Sequence, residues 1–472
     1  MKLNQPTVGP IVGHTSTDLV RIFLRGSQER EGDGFRRCFA ILRWRPAGGN
    51  WSKPLFNKLT LNFDFTGVLV PQGLTPATRY EYQACWFFAE TELESLPAID
   101  EKTFEWPTPE DGLYDSFTTS PANDLAPRRY AVGSCRYLLR LFEQTLFDDR
   151  GDKLFRSILE KRKNEPVDGL MMIGDQIYAD DLNFIAPDTT ILQYLERYRS
   201  VFSQPYIRKL MANVPTYMIL DDHEIEDNWP KGAKRKSATT LFTNAMYAYQ
   251  IYQCSHSPLL NVTPDGRLDG IPRRYWYSFS DGCADWFVMD SRTERVIAPD
   301  DPSRHQMISQ TQMKALLDWL DDQSARVKLV VTSVPIFPDM AAENDDKWGG
   351  FQAQRQTILE HIRTKGIRKV VFVSGDVHCS FAGRLELKND SSFAVHFVVS
   401  SSFYWPTAHM QEHQFAFGSA LQGTAPQQYV SKRLTQVHSD DNYARLEVSP
   451  TDLVVRYYDR KGSALEKKKI TF

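Results

Sequence analysis

The chain has 472 residues, of which 42% are hydrophobic and 24% are charged, the composition of an ordinary globular protein. Its 56 lysines and arginines nearly balance its 59 aspartates and glutamates, so no overall positive field favours nucleic acid as a partner. The length exceeds what one hydrophobic core usually fills, which predicts two domains, or one large domain with a small one attached.

Three sequence features bear on where the protein resides. No run of 18 apolar residues occurs in the sequence, so we expect no membrane span. Residues 1–6 (MKLNQP) lack the apolar core of a secretory signal. The cysteines are scattered without a Cys-x-x-Cys pair, which favours reduced thiols in a cytosol over a disulfide framework. We therefore expect a cytoplasmic chain, or a periplasmic or secreted one if a leader has been removed.

Residues 1 to about 120 show the pattern of β structure. Apolar and polar residues alternate at 59–65 (LTLNFDF), which is the period-two pattern of half-buried antiparallel strands. The segment 73–82 (GLTPATRYEY) resembles the corner of fibronectin-type sandwiches, in which a tyrosine after a Leu-x-Pro turn ties one strand to its neighbour. We predict an all-β, Ig- or fibronectin-like sandwich domain over residues 1–122, followed by a polar, proline-punctuated linker.

The sequence pattern changes near Arg129, where short apolar runs begin to alternate with amphipathic helices. Residues 311–321, for example, place Met313, Leu316 and Leu320 on one face of a predicted helix. Such alternation is typical of a layered α/β domain, which we predict over residues 128–472.

The stretch 169–181 (GLMMIGDQIYADD) is the centre of the predicted α/β domain. Its apolar run is too short for a buried helix and favours an interior parallel strand. Ligands bind beyond the carboxyl ends of such strands, so Asp175 and Tyr178 would be delivered to a site. Asp175 could instead be a helix N-cap beside a packed tyrosine. The acids Asp180 and Asp181 could equally belong to a solvated loop.

Side chains that commonly bind metals follow several predicted strands. The strand-end rule brings these residues to one edge of the sheet: Cys135, Asp175, Tyr178, Asp222, His223, Asp376 and His378. Carboxylate and imidazole groups packed together would repel one another unless cations lay among them, which indicates a metal site. Mixed His, Asp and Cys ligands suit a transition metal, whereas an all-oxygen pocket suits calcium or manganese. Taken alone, Cys135 would be an inert buried thiol.

Six short motifs follow one another along the chain: Ser134-Cys135, Gly174-Asp175-x-x-Tyr178, Asp221-Asp222-His223-Glu224, residues 289–295 (MDSRTER), residues 346–351 (DKWGGF) and Ser374-Gly375-Asp376-Val377-His378. Together they resemble the calcineurin-like metallophosphoesterase superfamily and, within it, the PhoD-type alkaline phosphatase/phosphodiesterase branch. Each motif is weak alone, whereas six in the right order are specific. The resemblance covers nearly the whole chain and implies a four-layer α/β/β/α sandwich behind the N-terminal domain.

The resemblance also implies a dinuclear or larger metal cluster. Asp175 would bridge two ions. Cys135, Tyr178 and His378 would hold the first ion as Fe³⁺, because anionic thiolate and phenolate ligands stabilise the trivalent state.

The second ion would be Ca²⁺ or another divalent cation, held by Asp222 and Asp376. The superfamily places a further histidine in this ligand set, and residues 333–335 (SVP) stand in its place here. His223 would stand beside the leaving group as a general acid, as its counterpart does in the superfamily.

The predicted activity is hydrolysis of a phosphoric mono- or diester by a metal-activated hydroxide. The partner is then a phosphate-ester substrate, with nucleic acid only as one candidate polymer substrate. Candidates for additional phosphate contacts are Arg136, Arg292 and Arg355, although arginines more often have a structural role. The alternative is a non-catalytic binding protein that keeps a vestigial metallophosphoesterase domain.

Overall fold

The computed structural model describes the chain except residues 28–36, 110–111, 139, 142–143, 146–149, 181–186, 232, 234–235, 299, 302–303, 323 and 343. The N-terminal strands are β1 (Val8–Thr15), β2 (Val20–Arg25), β3 (Arg37–Pro46), β4 (Leu55–Leu59), β5 (Thr66–Leu69), β6 (Arg79–Ala89) and β7 (Asp115–Thr118). They form two antiparallel sheets, with strand orders β1-β2-β5 and β4-β3-β6-β7. The N-terminal β structure is therefore confirmed, whereas the Ig- or fibronectin-like identity and the boundary at residue 122 stay predictions.

Two details of this region bear on the sequence analysis. Tyr80 Oη accepts a hydrogen bond of 2.9 Å from the backbone N–H of Thr75, which is the tie predicted from the Leu-x-Pro turn. The predicted strand through residue 65 is wrong, because β4 ends at Leu59 and a 3₁₀ turn follows at Leu61–Phe63. The apolar side chains of that turn are exposed, so the alternation did not mark a buried face.

The remaining elements, in chain order, are β8 (Arg128–Gly133), β9 (Arg140–Leu141), β10 (Gln144–Thr145), α1 (Arg150–Lys161), β11 (Gly169–Ile173), α2 (Ile191–Phe202), α3 (Pro205–Met211), β12 (Thr216–Ile219), α4 (Ala238–Tyr249), β13 (Asn261–Val262), β14 (Leu268–Asp269), β15 (Tyr277–Asp281) and β16 (Ala284–Val288). They continue with α5 (Gln310–Asp321), β17 (Val327–Val331), α6 (Gln352–Thr364), β18 (Val370–Ser374), β19 (Phe381–Leu387), β20 (Asp390–Val399), β21 (Tyr429–Arg433), β22 (Asn442–Val448), β23 (Asp452–Asp459) and β24 (Ala464–Thr471).

Within the described residues, most of these strands build two large mixed sheets, while β9 with β10 and β13 with β14 form separate two-stranded sheets. One has the order β12-β11-β8-β22-β23-β24, and the other has the order β15-β16-β17-β18-β20-β19-β21. Strands β8, β11 and β12 are parallel, as are β16, β17, β18 and β20. The parallel strands of each sheet therefore end at a common edge, where ligand sites usually lie.

The two large sheets pack face to face. Val132, Ile173 and Ile219 of the first sheet share a buried cluster with Val331 and Val373 of the second. Helices α1 to α4 cover the outer face of the first sheet, and α5 and α6 cover that of the second. Because the parallel strands are buried on both faces, their sequences are continuous apolar runs rather than alternating ones.

The N-terminal sheet β1-β2-β5 packs against the α/β region. Val8 and Phe23 belong to the same buried cluster as the inner side chains of α2 and α4. Tyr82 Oη donates a hydrogen bond of 2.7 Å to the carbonyl of Ala212, at the end of α3. Among the helices of the described part of the chain, none is long and apolar enough to cross a bilayer.

Candidate metal centre

The candidate site lies at the carboxyl ends of the parallel strands of both sheets. Cys135 follows β8, Asp175 follows β11 and Asp222 follows β12, while Asp376 and His378 follow β18. Three groups of possible metal ligands have their ligand atoms within 4.8 Å of one another: Cys135, Asp175 and His378; Asp175, Asp222 and His223; and Asp221, Asp222 and Asp376. The structure thus brings together the residues that the strand-end rule predicted.

The backbone at this site adopts an uncommon conformation. Cys135, Asp175, Asp376 and His378 have φ angles of 54°, 54°, 70° and 49°, all in the left-handed region. Few non-glycine residues occupy that region, and each instance costs on the order of 1–3 kcal/mol. Such conformations persist where the surrounding structure requires them, and they cluster at functional sites.

Two glycines allow the strand ends to approach closely. Gly174 has a φ of 109°, and a Cβ there would lie 2.7 Å from the Cβ of Asp221. A Cβ at Gly375 would lie 2.3 Å from the Oγ of Ser134. The Gly-Asp pairs in the sequence therefore reflect a packing requirement as well as a turn.

We call the four residues Cys135, Asp175, Tyr178 and His378 the thiol subsite. Cys135 Sγ lies 3.2 Å from Asp175 Oδ2, and Tyr178 belongs to the same small buried cluster as Cys135. Asp175 Oδ1, Tyr178 Oη and His378 Nε2 are buried without a hydrogen-bond partner of ordinary distance and angle. Buried polar atoms are rarely left unsatisfied, so these atoms fit a bound cation. A thiolate, a phenolate, an imidazole and a carboxylate suit a transition metal.

The pKa shifts in the thiol subsite also fit a bound cation. Burial raises the pKa of Cys135 well above its ordinary value, and the carboxylates of Asp175 and Asp376 add to that shift. Burial, with the negative charges of Cys135 and Asp175, likewise raises the pKa of Tyr178. The pKa of Asp175 is also raised, first by burial and then by Asp221. A cation bound among these groups would stabilise their ionised forms.

We call the four residues Asp221, Asp222, Asp346 and Asp376 the carboxylate subsite. Arg292 contacts all four of them, with Nη2 at 3.3 Å from Asp222 and 3.7 Å from Asp376, and Nη1 at 2.8 Å from Asp346. Its Nε donates to Asp221 Oδ1. Arg292, which was predicted to contact phosphate, is therefore buried among carboxylates, and two of these, Asp222 and Asp376, are the predicted ligands of the second metal.

Lys347 is a second cationic side chain, besides Arg292, in contact with the carboxylate subsite. Its Nζ lies 2.5 Å from Asp376 Oδ2 and 2.9 Å from Asp346 Oδ2. Burial alone would raise the pKa of Asp346, but Arg292 and Lys347 outweigh burial and hold this pKa well below its usual range. The pKa of Asp376 rises to about 7, because burial and the neighbouring carboxylates outweigh Lys347. Lys347 lies inside one of the six sequence motifs, but no feature of the sequence marked it as a site residue.

His223 is oriented by a buried carboxylate. Its Nδ1 lies 2.8 Å from Asp180 Oδ2, and its ring contacts that of Tyr178, with centroids 4.3 Å apart and an interplanar angle of 34°. Burial alone would lower the pKa of His223, but Asp180, Asp222 and Asp175 outweigh burial and raise it. Asp180 is thus a buried partner rather than part of a solvated loop, while Asp181 lies outside the described residues.

Glu224, the last residue of the Asp-Asp-His-Glu motif, ties two strand ends together. Its carboxylate accepts hydrogen bonds from the backbone N–H groups of Gln176 at 2.6 Å, Asp221 at 2.9 Å and Asp175 at 3.2 Å. Burial raises its pKa to about 7. Sequence reasoning left Glu224 without a role, because its partners are backbone groups that no side-chain pattern reveals.

Trp405, in the loop after β20, covers the thiol subsite. Its ring stacks on that of His378, with centroids 3.6 Å apart and an interplanar angle of 20°. Stacking of this kind holds the imidazole ring of His378 in one orientation. The sequence analysis did not identify Trp405, since it belongs to none of the motifs.

Arg136 and Arg355 do not reach the site. Arg136 donates to the carbonyl of Val201 at 3.0 Å, and its guanidinium stacks on Phe155. Arg355 donates to Asp339 at 2.6 Å and to the carbonyl of Ile336 at 3.2 Å. Both side chains are fully buried among these partners, and neither lines the cleft that opens above the site.

A cleft of about 450 Å³ opens above the thiol and carboxylate subsites. This volume suits a small ligand. Its walls include Asp175, Asp222, His223, Lys347, Asp376 and His378. A larger cleft of about 870 Å³ lies elsewhere, between α1 and the N-terminal strands β6 and β7, and contains none of these residues.

The fold and the site define a mixed α/β protein with buried candidate metal-binding groups at its strand ends. A family model for PhoD-like phosphatases matches residues 147–457, well over half of the chain. The chain therefore belongs to the PhoD-like phosphatase family, as the motifs predicted.

Two known proteins are similar to this chain. Alkaline phosphatase D of Bacillus subtilis (strain 168) is 25% identical over 279 residues, which are 50% of this chain and 46% of that protein. The matched part thus spans about half the length of that relative. A solved structure of PhoD superposes with a TM-score of 0.69 at 17% identity, and the match covers 99% of this chain and 89% of that one. At this identity, the likeness shows a shared fold.

Proposed function

We propose that this protein is a metal-dependent phosphoric ester hydrolase. The observation that carries the proposal is the thiol subsite, in which the buried atoms Asp175 Oδ1, Tyr178 Oη and His378 Nε2 have no hydrogen-bond partner of ordinary distance and angle and lie beneath an open cleft. Buried polar atoms without partners are uncommon, and these three, all of metal-ligating residue types or a phenol, fit a bound ion. Membership of the PhoD-like phosphatase family supplies the reaction class.

Cys135, Asp175, Tyr178 and His378 would hold the metal. When bound, a metal ion lowers the pKa of a coordinated water toward about 7 and neutralises charge on the phosphoryl oxygens. We propose Fe³⁺ for this ion, because a thiolate and a phenolate together favour a trivalent metal. Trp405 would keep the His378 ring in place and keep bulk water away from it.

His223 would protonate the leaving oxygen of the ester. It lies on the cleft wall and its Nδ1 is engaged by Asp180, so Nε2 remains as the atom that can give a proton to the substrate. Asp180 would hold the ring and stabilise the positive charge of the protonated imidazole.

The alternative of a vestigial, non-catalytic domain is less well supported. A binding protein has no need of a histidine paired with a buried carboxylate beside unpartnered metal-ligand atoms. Costly left-handed conformations at Cys135, Asp175, Asp376 and His378 would also have no use in a vestigial site.

We also propose the architecture that the family resemblance implies. In this proposal, residues 1–122 form an Ig- or fibronectin-like domain and residues 128–472 form a four-layer α/β/β/α catalytic domain. The packing of two sheets between outer helices supports the second part. The hydrogen bond between Thr75 and Tyr80 supports the first part.

The proposed activity is tested with p-nitrophenyl phosphate and its bis-ester. We expect hydrolysis by protein purified with its metal, and loss of hydrolysis when a chelator removes that metal. Asp175→Asn should abolish both metal binding and turnover while the fold persists by circular dichroism. Full activity in metal-free protein would refute the proposal.

A further inference from the structure

The larger cleft, of about 870 Å³, lies at the opposite edge of the first large sheet from the candidate metal centre. Arg128 begins β8, Asp168 directly precedes β11 and Pro215 directly precedes β12, and all three residues line this cleft. Strand β11 has five residues, so at about 3.3 Å per residue it keeps the cleft roughly 16 Å from the metal centre. A small ligand in this cleft would therefore not contact the metal ligands.

The walls of this cleft carry an excess of positive charge. Seven lysine and arginine side chains line it, against the two acidic side chains of Glu160 and Asp168, and we call it the basic cleft. Four of the seven lie 2.8–2.9 Å from a carboxylate: Arg128, Arg129, Arg156 and Lys209. The other three, Arg79, Arg162 and Lys163, have no carboxylate at ion-pair distance among the described residues. Three positive charges of the basic cleft are therefore left without a counter-charge.

The two arginines without a carboxylate contact only neutral groups. Arg162 Nη2 donates a hydrogen bond of 3.0 Å to the backbone carbonyl of Asn213, and Arg79 Nη2 lies 3.4 Å from the Oγ of Ser116. A guanidinium has five N–H donors, so most of the donors of both side chains remain for a ligand.

Arg79 and Arg162 are also close enough to repel each other. Burial lowers the pKa of Arg162, and the positive charge of Arg79 lowers it further, by more than the negative charge of Asp115 raises it. Both arginines nevertheless stay protonated at neutral pH. An anion bound between the two guanidinium groups would relieve this repulsion.

The basic cleft also offers contacts to carbon atoms. Leu113, which is 68% exposed, lines it together with the rings of Tyr114 and Tyr206. The volume of about 870 Å³ lies in the range of sites for organic ligands and is far larger than one inorganic anion needs. The lining therefore fits an organic molecule that carries several anionic groups.

We propose that the basic cleft is a second binding site, separate from the metal centre, for an organic compound that carries at least two phosphate or sulfate groups. Arg79 and Arg162 would bind the anionic groups, because a guanidinium matches two oxygens of such a group with parallel N–H···O bonds. Lys163 would add a point charge. The inference goes beyond the proposed function and does not depend on it, since the basic cleft and the cleft above the metal centre share no lining residue.

Isothermal titration calorimetry tests the inference on the full chain with its metal. The two probes are fructose 1,6-bisphosphate for phosphate groups and sucrose octasulfate for sulfate groups. We expect at least one probe to bind, and we expect Arg79→Gln and Arg162→Gln each to raise its Kd at least about 10-fold. Hydrolysis of p-nitrophenyl phosphate should be the same in both variants as in the unmodified protein. The probe that binds more tightly identifies which anionic group the site prefers.

Arg267→Gln provides the matched control. Arg267 is an exposed arginine outside the basic cleft, and its Nε lies 3.1 Å from Asp265. This variant loses the same charge and should bind the probe as the unmodified protein does. A Kd raised equally in Arg267→Gln would show that only the net charge matters, which would overturn the site.

A second control separates the basic cleft from the metal centre. Asp175→Asn, which alters only the metal centre, should bind the probe with unchanged affinity. Loss of binding in Asp175→Asn together with unchanged binding in both arginine variants would place the probe at the metal centre and overturn the inference. An inactive protein that still binds the probe through Arg79 and Arg162 would refute the hydrolase proposal and leave this inference intact.

Two further outcomes complete the test. No binding of either probe would overturn the inference. If Arg162→Gln fails to fold, Arg79→Gln decides alone, because Arg79 is exposed and its replacement leaves no buried gap. A raised Kd in that variant supports the site, and an unchanged Kd refutes it.

Discussion

His223 and Asp180 form a buried pair, with Nδ1 and Oδ2 2.8 Å apart, on the wall of the cleft. Asp180 also accepts a hydrogen bond of 2.8 Å from the backbone N–H of Asp227, which fixes the carboxylate in place. The imidazole is thus held in one orientation, with its second nitrogen available to a ligand. This relationship makes the proposed acid role specific enough to test.

Replacing His223 with alanine should reduce kcat by roughly 10²–10⁴ for esters with alkoxide leaving groups. The loss should be smaller for p-nitrophenyl esters, because p-nitrophenolate leaves without a proton. Metal content should be unchanged and serves as the control. An equal loss for both leaving groups would instead indicate that His223 positions the substrate or a metal.

Asp180→Asn should weaken the same step through His223. We expect a loss for alkyl esters that is smaller than that of His223→Ala and a small effect on p-nitrophenyl esters. In the double variant, the second change should add little, because both residues act through one proton transfer. Additive losses, measured as kcat for one alkyl phosphate, would show that Asp180 acts independently.

His256 should make the stability depend on pH. Burial lowers its pKa to about 4, with a smaller contribution from Arg21, and its Nε2 lies 3.1 Å from the carbonyl of Tyr252. The unfolded chain binds a proton near pH 6.5, whereas the folded chain does so only near pH 4. The free energy of unfolding should therefore fall as the pH drops through this window, by up to about 3 kcal/mol from this residue.

His256→Gln tests that expectation, because it keeps a hydrogen-bond donor but removes the titration. Chemical unfolding between pH 7 and pH 4 should show a shallower decline for the variant. His14 and His396 also have lowered pKa values and keep their share of the decline in both proteins. Identical declines in both proteins would contradict the assignment to His256.

Tyr80→Phe should destabilise the N-terminal β structure only. It removes the hydrogen bond between Thr75 and Tyr80, which is worth about 0.5–1.5 kcal/mol. The expected result is a small fall in the free energy of unfolding with unchanged metal content. A change in metal content would show that this corner supports the site.

Much of the site could be predicted from the sequence because strand ends are readable. Asp175 and Asp376 follow short apolar runs with no alternation, and parallel strands of that kind finish at a common edge. The alternation near Leu61 misled, since a few apolar residues in a surface turn mimic a half-buried strand. Short patterns cannot separate these two cases without the packing partner.

The charges around the site could not be predicted in the same way. Arg292 and Lys347 come from loops far apart in sequence, and only the folded arrangement shows that both pair with Asp346 and Asp376. Arg136 carried the same sequence signal as Arg292 but pairs with Asp152 and with the backbone carbonyls of Gly151 and Val201, away from Asp346 and Asp376. Pairing in three dimensions, rather than residue type, separates a site arginine from a structural one.

The central claim is that the thiol subsite binds iron, and the visible absorption spectrum tests this claim most directly. A thiolate or phenolate bound to Fe³⁺ gives a charge-transfer band, whereas Ca²⁺, Zn²⁺ or Mg²⁺ in the same place gives none. Purified protein should be coloured, and Tyr178→Phe and Cys135→Ser should each shift or remove the band while the fold persists. Iron-replete protein without the band, or an unchanged spectrum in both variants, would contradict the account.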